Sequence, residues 1–297
     1  MYFEHFGLAL APFSIAPDPA FAYPSRAQQE AHAALLQAIG GGDGFVKITG
    51  DVGTGKTLAC RRLLAALAGQ PDCDAVYVQN PCLTPRSLLL AIGVELKLPL
   101  RANTSEHRLL TLLDRALLKA SAAGRRIVVC LDEAQAMPAD AFEVLRRLAA
   151  RDRDGRAVLQ TVLFGQPELD DKLARSDLRP LASRITAQYR LGPLSARETE
   201  AYLAHRLRVA GRAADASALF PTAVAALVHR YTRGVPRIVN IVAHKALLLA
   251  CRDRAAVVGP QHVRDAAADT PHARPATALS RLVAWWQHGR MRHGTPA

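Results

Sequence analysis

Residues 50–57 read Gly-Asp-Val-Gly-Thr-Gly-Lys-Thr and fill every fixed position of the pattern G-x-x-x-x-G-K-[ST]. Such a run is built to hold phosphate. Gly50, Gly53 and Gly55 let the backbone turn tightly and aim its N–H groups at phosphate oxygens. Lys56 would reach the β- and γ-phosphates of ATP, and the Thr57 hydroxyl would ligate Mg²⁺. The run from Gly50 through Asp51, Val52, Gly53, Thr54, Gly55, Lys56 and Thr57 to Leu58 is therefore the candidate ATP-binding segment.

Further residues have the types that phosphoryl chemistry needs. Asp132 and Glu133 follow the apolar run Ile127-Val128-Val129-Cys130-Leu131. Asp132 would join the Mg²⁺ shell, and Glu133 would polarise the attacking water. A second apolar run ends in Phe164-Gly165-Gln166, where Gln166 could sense the γ-phosphate. Arg184, just before a fifth strand, could act as an arginine finger on the γ-phosphate of a neighbouring subunit. Arg179 is the next candidate, and a plain surface role is the rival reading for both. Gly234-Val235-Pro236-Arg237 puts Arg237 in the first turn of a helix, from which it could lean onto the phosphates.

These residues need a scaffold. Strands are expected at 45–49, 75–78, 127–131, 158–164 and 185–191, and helices at 26–39, 58–68, 85–96, 105–123 and 140–150. Strands alternating with helices imply a parallel sheet covered on both faces, an α/β fold with the glycine loop between a strand and a helix. Apolar runs of strand length mark central strands, buried on both sides. After Gly192-Pro193 the strand signals stop. Ser195-Ala196-Arg197-Glu198 is a capping-box sequence, and helices are expected to about 210 and at 221–231, 236–252 and 260–268. The expected organisation is a Phe/Pro-rich arm and helix (1–44), the phosphate-loop core (45–192), a small all-helical domain (193–270) and a short basic tail with Trp285 and Trp286 (271–297). The arm is expected to be extended, since its prolines resist helix and its aromatics need burial.

Half of the 297 residues are hydrophobic, enough for a substantial core. The formal charge is +12, and only Lys47, Lys56, Lys97, Lys119, Lys172 and Lys245 are lysine among 38 cationic residues. A basic surface suits nucleic acid, acidic partners or anionic lipid, and an arginine-rich, alanine-rich composition also suits a GC-rich genome. The five cysteines show neither C-x-x-C nor Cys/His ligand spacing, which speaks against a zinc site and for a reducing compartment. The start lacks the basic and apolar regions of a signal peptide, and no apolar stretch suffices for a membrane span. A cytoplasmic protein is expected.

As a set, the phosphate loop, Asp132-Glu133-Ala134-Gln135, Phe164-Gly165-Gln166-Pro167-Glu168-Leu169, Ser183-Arg184-Ile185 and Gly234-Val235-Pro236-Arg237-Ile238-Val239-Asn240 resemble AAA+ ATPases of the ExeA/GspA secretion type. Phe6-Gly7-Leu8, Pro12-Phe13, Pro17-Asp18-Pro19 and 202–211 fit the same group, and the resemblance covers about residues 1–270. It implies a P-loop NTPase (AAA+) core with a helical lid, bound to ATP and Mg²⁺ and forming a homo-oligomer in the ATP state. It also implies pilus or secretion assembly proteins as partners, which would hold the chain peripherally at the inner membrane. Secretion-type members continue into a transmembrane helix and a peptidoglycan-binding region, which this sequence lacks. That departure points to the MshM-like branch, ATPases of MSHA type IV pilus biogenesis. The rival is a DNA-dependent ATPase of the TniB/MuB kind, which shares the loop, the Asp-Glu pair and the lid. The Phe/Pro-rich opening favours the first reading; the charge favours the second.

Overall fold

The protein is described from a computed structural model, which covers residues 2–79, 83–101, 103–149, 158–213 and 217–273. The chain divides into two compact units. One is Pro24–Gly192; the other joins the chain up to Tyr23 with the chain from Pro193 onward. The expected block 1–44 is thus divided after Tyr23, and the helix that follows goes with the sheet. Most of the expected tail, with Trp285 and Trp286, lies outside the described residues.

The arm is not wholly extended. Its first residues form α1 (Tyr2–Phe6), and Pro19–Phe21 makes a 3-10 turn. The first proline is Pro12, so nothing before it blocks a helical turn. α2 (Arg26–Gly41) starts where the Ser25 hydroxyl accepts a hydrogen bond from Gln28 N. In the same unit follow β1 (Phe45–Gly50), α3 (Lys56–Ala68), β2 (Cys73–Val78), α4 (Pro85–Glu95), α5 (Glu106–Ala122), β3 (Arg126–Leu131), α6 (Ala139–Leu148), β4 (Leu159–Gly165), the short α7 (Glu168–Leu173) and α8 (Arg179–Ala182), and β5 (Ile185–Leu191).

The strands form one parallel sheet in the order β2-β3-β4-β1-β5. Side chains alternate between its faces. Val46, Ile48, Val128, Cys130, Val162 and Phe164 pack with α2 and α3. Phe45, Ile127, Val129, Leu131, Leu159 and Leu163 pack with α4 to α7. Both faces being covered, β1, β3 and β4 are buried along their length apart from the start of β3. Lys47 breaks the apolar run of β1. Its ammonium lies on the α7 side and pairs with Asp170 at 2.5 Å, so a mostly buried charge keeps a partner. Cys60 and Cys130 are fully buried; their mutual hydrogen bond and burial push the Cys60 thiol up, which suits packing rather than reactivity. The order also sets the stage for chemistry. β4 lies between β1 and β3, so the segments after all three strands emerge side by side at one edge.

The other unit contains α1 and α9 (Ala196–Val209), α10 (Thr222–Thr232), α11 (Pro236–Arg252) and α12 (Pro260–Ala268). The Ser195–Glu198 capping box forms as its sequence requires. Arm aromatics complete this unit's core. Phe13 meets Phe220 edge to face at 5.8 Å between centroids, and Tyr2 Oη lies 3.0 Å from His244 Nδ1. Arg206 is the clasp. It is buried, sits 4.9 Å from the Phe21 ring centroid and donates to Pro12 O, Ser14 O and Tyr202 Oη. Tyr202 Oη donates to Asn240 Oδ1 at 2.8 Å, and Asn240 Nδ2 donates back to Ser14 O at 3.2 Å. No carboxylate pairs with Arg206 among the described residues; carbonyls, a hydroxyl and a ring satisfy the charge instead. Arg206→Ala should therefore cost about 2–3 kcal/mol, since hydrogen bonds to a charged group are lost and buried acceptors are stranded. Chemical denaturation of the full chain checks this, and an unmoved transition would show that the clasp is idle. No helix among the described residues is long and apolar enough to cross a membrane.

Candidate functional site

β1 ends at Gly50 and α3 begins at Lys56, so Asp51 to Gly55 form the loop between strand and helix. Asp51 and Val52 are exposed at its tip. Thr54 folds the loop on itself by donating from Oγ1 to Asp51 O at 2.8 Å. Gly55 holds a left-handed backbone, φ +98°, and a Cβ there would come 2.9 Å from Gln28 Nε2; only glycine fits. No side chain caps α3, so its first-turn N–H groups remain donors at the positive end of the helix dipole. Leu58, half-buried, lies in that first turn.

Lys56 is buried, and its Nζ donates to Gly50 O at 2.8 Å and Asp51 O at 3.2 Å. Burial lowers its pKa, while the carboxylates of Glu133, Asp132, Asp51 and Glu168 pull it back up. Thr57 Oγ1 donates to Asp132 Oδ2 at 2.7 Å. A hydroxyl and a carboxylate in contact, beside a donor-rich loop, fit Mg²⁺, which takes one or two protein oxygens and completes its shell with phosphate and water. Burial pushes the Asp132 carboxyl up, partly countered by the bonds it accepts from Thr57 and from Glu133 N.

Glu133 stands in a left-handed backbone, φ 55° and ψ 37°. For a residue with a Cβ this is a costly conformation, of the sort that concentrates at functional sites. Its Oε2 accepts from Gln135 Nε2 at 2.5 Å and from Gln166 Nε2 at 3.1 Å. Burial alone would raise its pKa; the two amides and the charge of Lys56 outweigh it and hold the carboxyl below its ordinary value. A group that stays ionised can accept a proton from water. Gln166, beyond β4, thus reaches the carboxylate beyond β3.

The sheet therefore brings Lys56, Thr57, Asp132, Glu133 and Gln166 to one edge. It does not bring Arg184 there. Arg184 precedes β5 at the opposite edge, where its Nη1 donates to Arg146 O at 3.1 Å near the end of α6. The length of β5, roughly 20 Å at ~3.3 Å per residue, separates the two edges. Arg179 is exposed at the start of α8. Arg237 is exposed in the first turn of α11, in the other unit. Two contributors were not foreseen. Gln28 approaches Gly55 O at 3.4 Å, and Gln135 touches both Glu133 and Gln166. Gln135 stands in the Asp-Glu-Ala-Gln box, but its type alone does not show which atoms it meets.

The AAA domain family matches residues 39–173. Over 250 residues the chain is 42% identical to general secretion pathway protein A of Aeromonas hydrophila, a stretch that is 84% of this chain and 45% of that protein. The chain thus spans about half the length of that curated relative. Among solved structures, the Aeropyrum pernix ORC2 protein superposes with a TM-score of 0.64 at 20% identity, covering 93% of this chain and 80% of that one. Cdc6p of Pyrobaculum aerophilum gives 0.66 at 18%, covering 94% and 74%. The Thermotoga maritima RuvB Holliday junction branch migration motor gives 0.58 at 15%, covering 96% and 83%. At such identities the likeness is one of fold.

Proposed function

From a chain that belongs to the AAA ATPases of the general secretion pathway protein A type, we propose that this protein binds and hydrolyses ATP to drive assembly of a secretion apparatus. The observation that carries the reading is the Thr57–Asp132 contact, with Glu133 and Gln166 beside it. In the proposed reaction the loop N–H groups and Lys56 hold the phosphates. Thr57 and Asp132 would hold Mg²⁺, which when bound offsets phosphate charge. Glu133 accepts a proton from water as that water attacks the γ-phosphorus. The bond to the β–γ bridging oxygen breaks, and ADP and phosphate leave. Gln166 reports the γ-phosphate to Glu133.

The client is proposed from the relative: a type II secretion apparatus first, with an MSHA-like type IV pilus as the finer alternative. The protein would act as a homo-oligomer held at the inner membrane by its partners. Arg184, at the sheet edge away from its own loop, would serve the neighbour's phosphates. ATP turnover per subunit should then rise with protein concentration. Glu133→Gln and Arg184→Ala subunits, each inactive alone, should regain activity when mixed, because one mixed interface holds both intact residues. A mixture that stays inactive although mixed oligomers form would sink the trans finger. The +12 charge supports the rival DNA-dependent reading. Duplex DNA at low and moderate salt should leave turnover unchanged; stimulation that fades with salt would favour the rival.

A further inference from the structure

Gln135 sits on the 3-10 turn Ala134–Ala136, two residues beyond Glu133. Its Nε2 donates to Glu133 Oε2 at 2.5 Å, while its Oε1 accepts from Gln166 N at 3.0 Å. One amide thus joins the carboxylate after β3 to the backbone after β4. A Cβ at residue 165 would meet Leu169 first, at 2.7 Å, and then Gln135 Oε1 at 3.2 Å, so Gly165 leaves room for both side chains. The turn beneath is pinned as well. Lys172 Nζ donates to Gln135 O at 2.5 Å and to Met137 O at 2.7 Å. Lys172 and Asp170 share α7, and Asp170 pairs with Lys47 of β1. α7 is therefore a crossbar between the strand that leads to the phosphate loop and the turn that carries Gln135.

A glutamate has three side-chain torsions and loses them only to contacts. Here both amide contacts fall on Oε2. Oε1 accepts no hydrogen bond from any described residue. We propose that Gln135 is a positioning residue for ATP hydrolysis: it anchors Glu133 by Oε2, leaves Oε1 as the acceptor for the attacking water, and ties that orientation to Gln166. This rests on the reading of Glu133 as the group that polarises water. Gln135 itself touches no reacting atom.

Gln135→Met is the test, because it keeps the length and bulk of the side chain and removes both hydrogen-bonding atoms. In the full chain, kcat for ATP hydrolysis should fall roughly 10- to 100-fold, the scale of a misplaced reacting group. The Kd for a fluorescent ATP analogue and the unfolding midpoint should stay at wild-type values. Gln135→Ala should match the methionine variant, since volume is not what matters. Wild-type kcat in Gln135→Met would overturn the proposal. So would a loss of kcat that runs in step with weaker binding and a lower midpoint, the mark of a merely structural residue. Wild-type protein that binds ATP and releases no phosphate would overturn the hydrolysis reading, and the role of Gln135 with it.

Discussion

Glu133→Gln should leave ATP bound and stop its turnover. The amide keeps the shape of the carboxylate but carries no charge and is a poor proton acceptor. General-base catalysis contributes about 10²–10⁴-fold, so phosphate release should fall by that factor. Binding should persist, since the loop, Lys56 and Thr57 are untouched. Glu133 Oε2 accepts two amide donors, and the substituted amide can still offer its oxygen to them, so the site should keep its form. Phosphate release under saturating ATP, with nucleotide affinity measured on the same sample, checks both halves. Near wild-type release would remove Glu133 from the mechanism.

Lys56→Ala should act one step earlier. The buried ammonium bonds two loop carbonyls and, on the proposed reading, exchanges part of that for phosphate. A hydrogen bond to a charged group is worth about 1.5–3 kcal/mol, which is roughly a 10- to 100-fold loss of ATP affinity. Calorimetric titration reads this directly. An unchanged affinity in a folded variant would mean that the glycine loop does not hold the nucleotide.

The α/β core was legible for physical reasons. β1, β3 and β4 are covered on both faces; β3 reads as an unbroken apolar run after Arg126, while β1 and β4 keep a mostly apolar pattern around the buried polar residues Lys47, Thr49, Gln160 and Thr161. β5 is an edge strand with alternating exposure, and it reads as alternation. Ser195 announced its helix because its hydroxyl and Glu198 form the capping box that the sequence spells. The strand order was not legible, because nothing in a strand's own residues says that β4 lies between β1 and β3. The partner of the arm was hidden for the same reason: Phe13 demands burial, but not against Phe220 in particular. At the site, the loop and Asp132-Glu133 stand out because spacing dictates their chemistry. The reach of Gln135 depends on the ends of β3 and β4 lying side by side, and neither it nor the left-handed backbone at Glu133 is written in local sequence.

The clasp at Arg206 bears on how the chain is made. Tyr2 and His244 are 242 positions apart, and Arg206 lies 194 from Pro12. The arm leaves the ribosome before Pro24–Gly192, yet the helices that bury it come after that whole segment. At about 5–20 residues per second the wait is roughly 10–30 s. Through that interval Tyr2, Phe6, Phe13 and Phe21 have no native surface to cover them, while the contiguous core can close behind them. The helical unit is thus the high-contact-order part of the molecule and should be the last to form, with its nascent aromatic end the segment most in need of a chaperone.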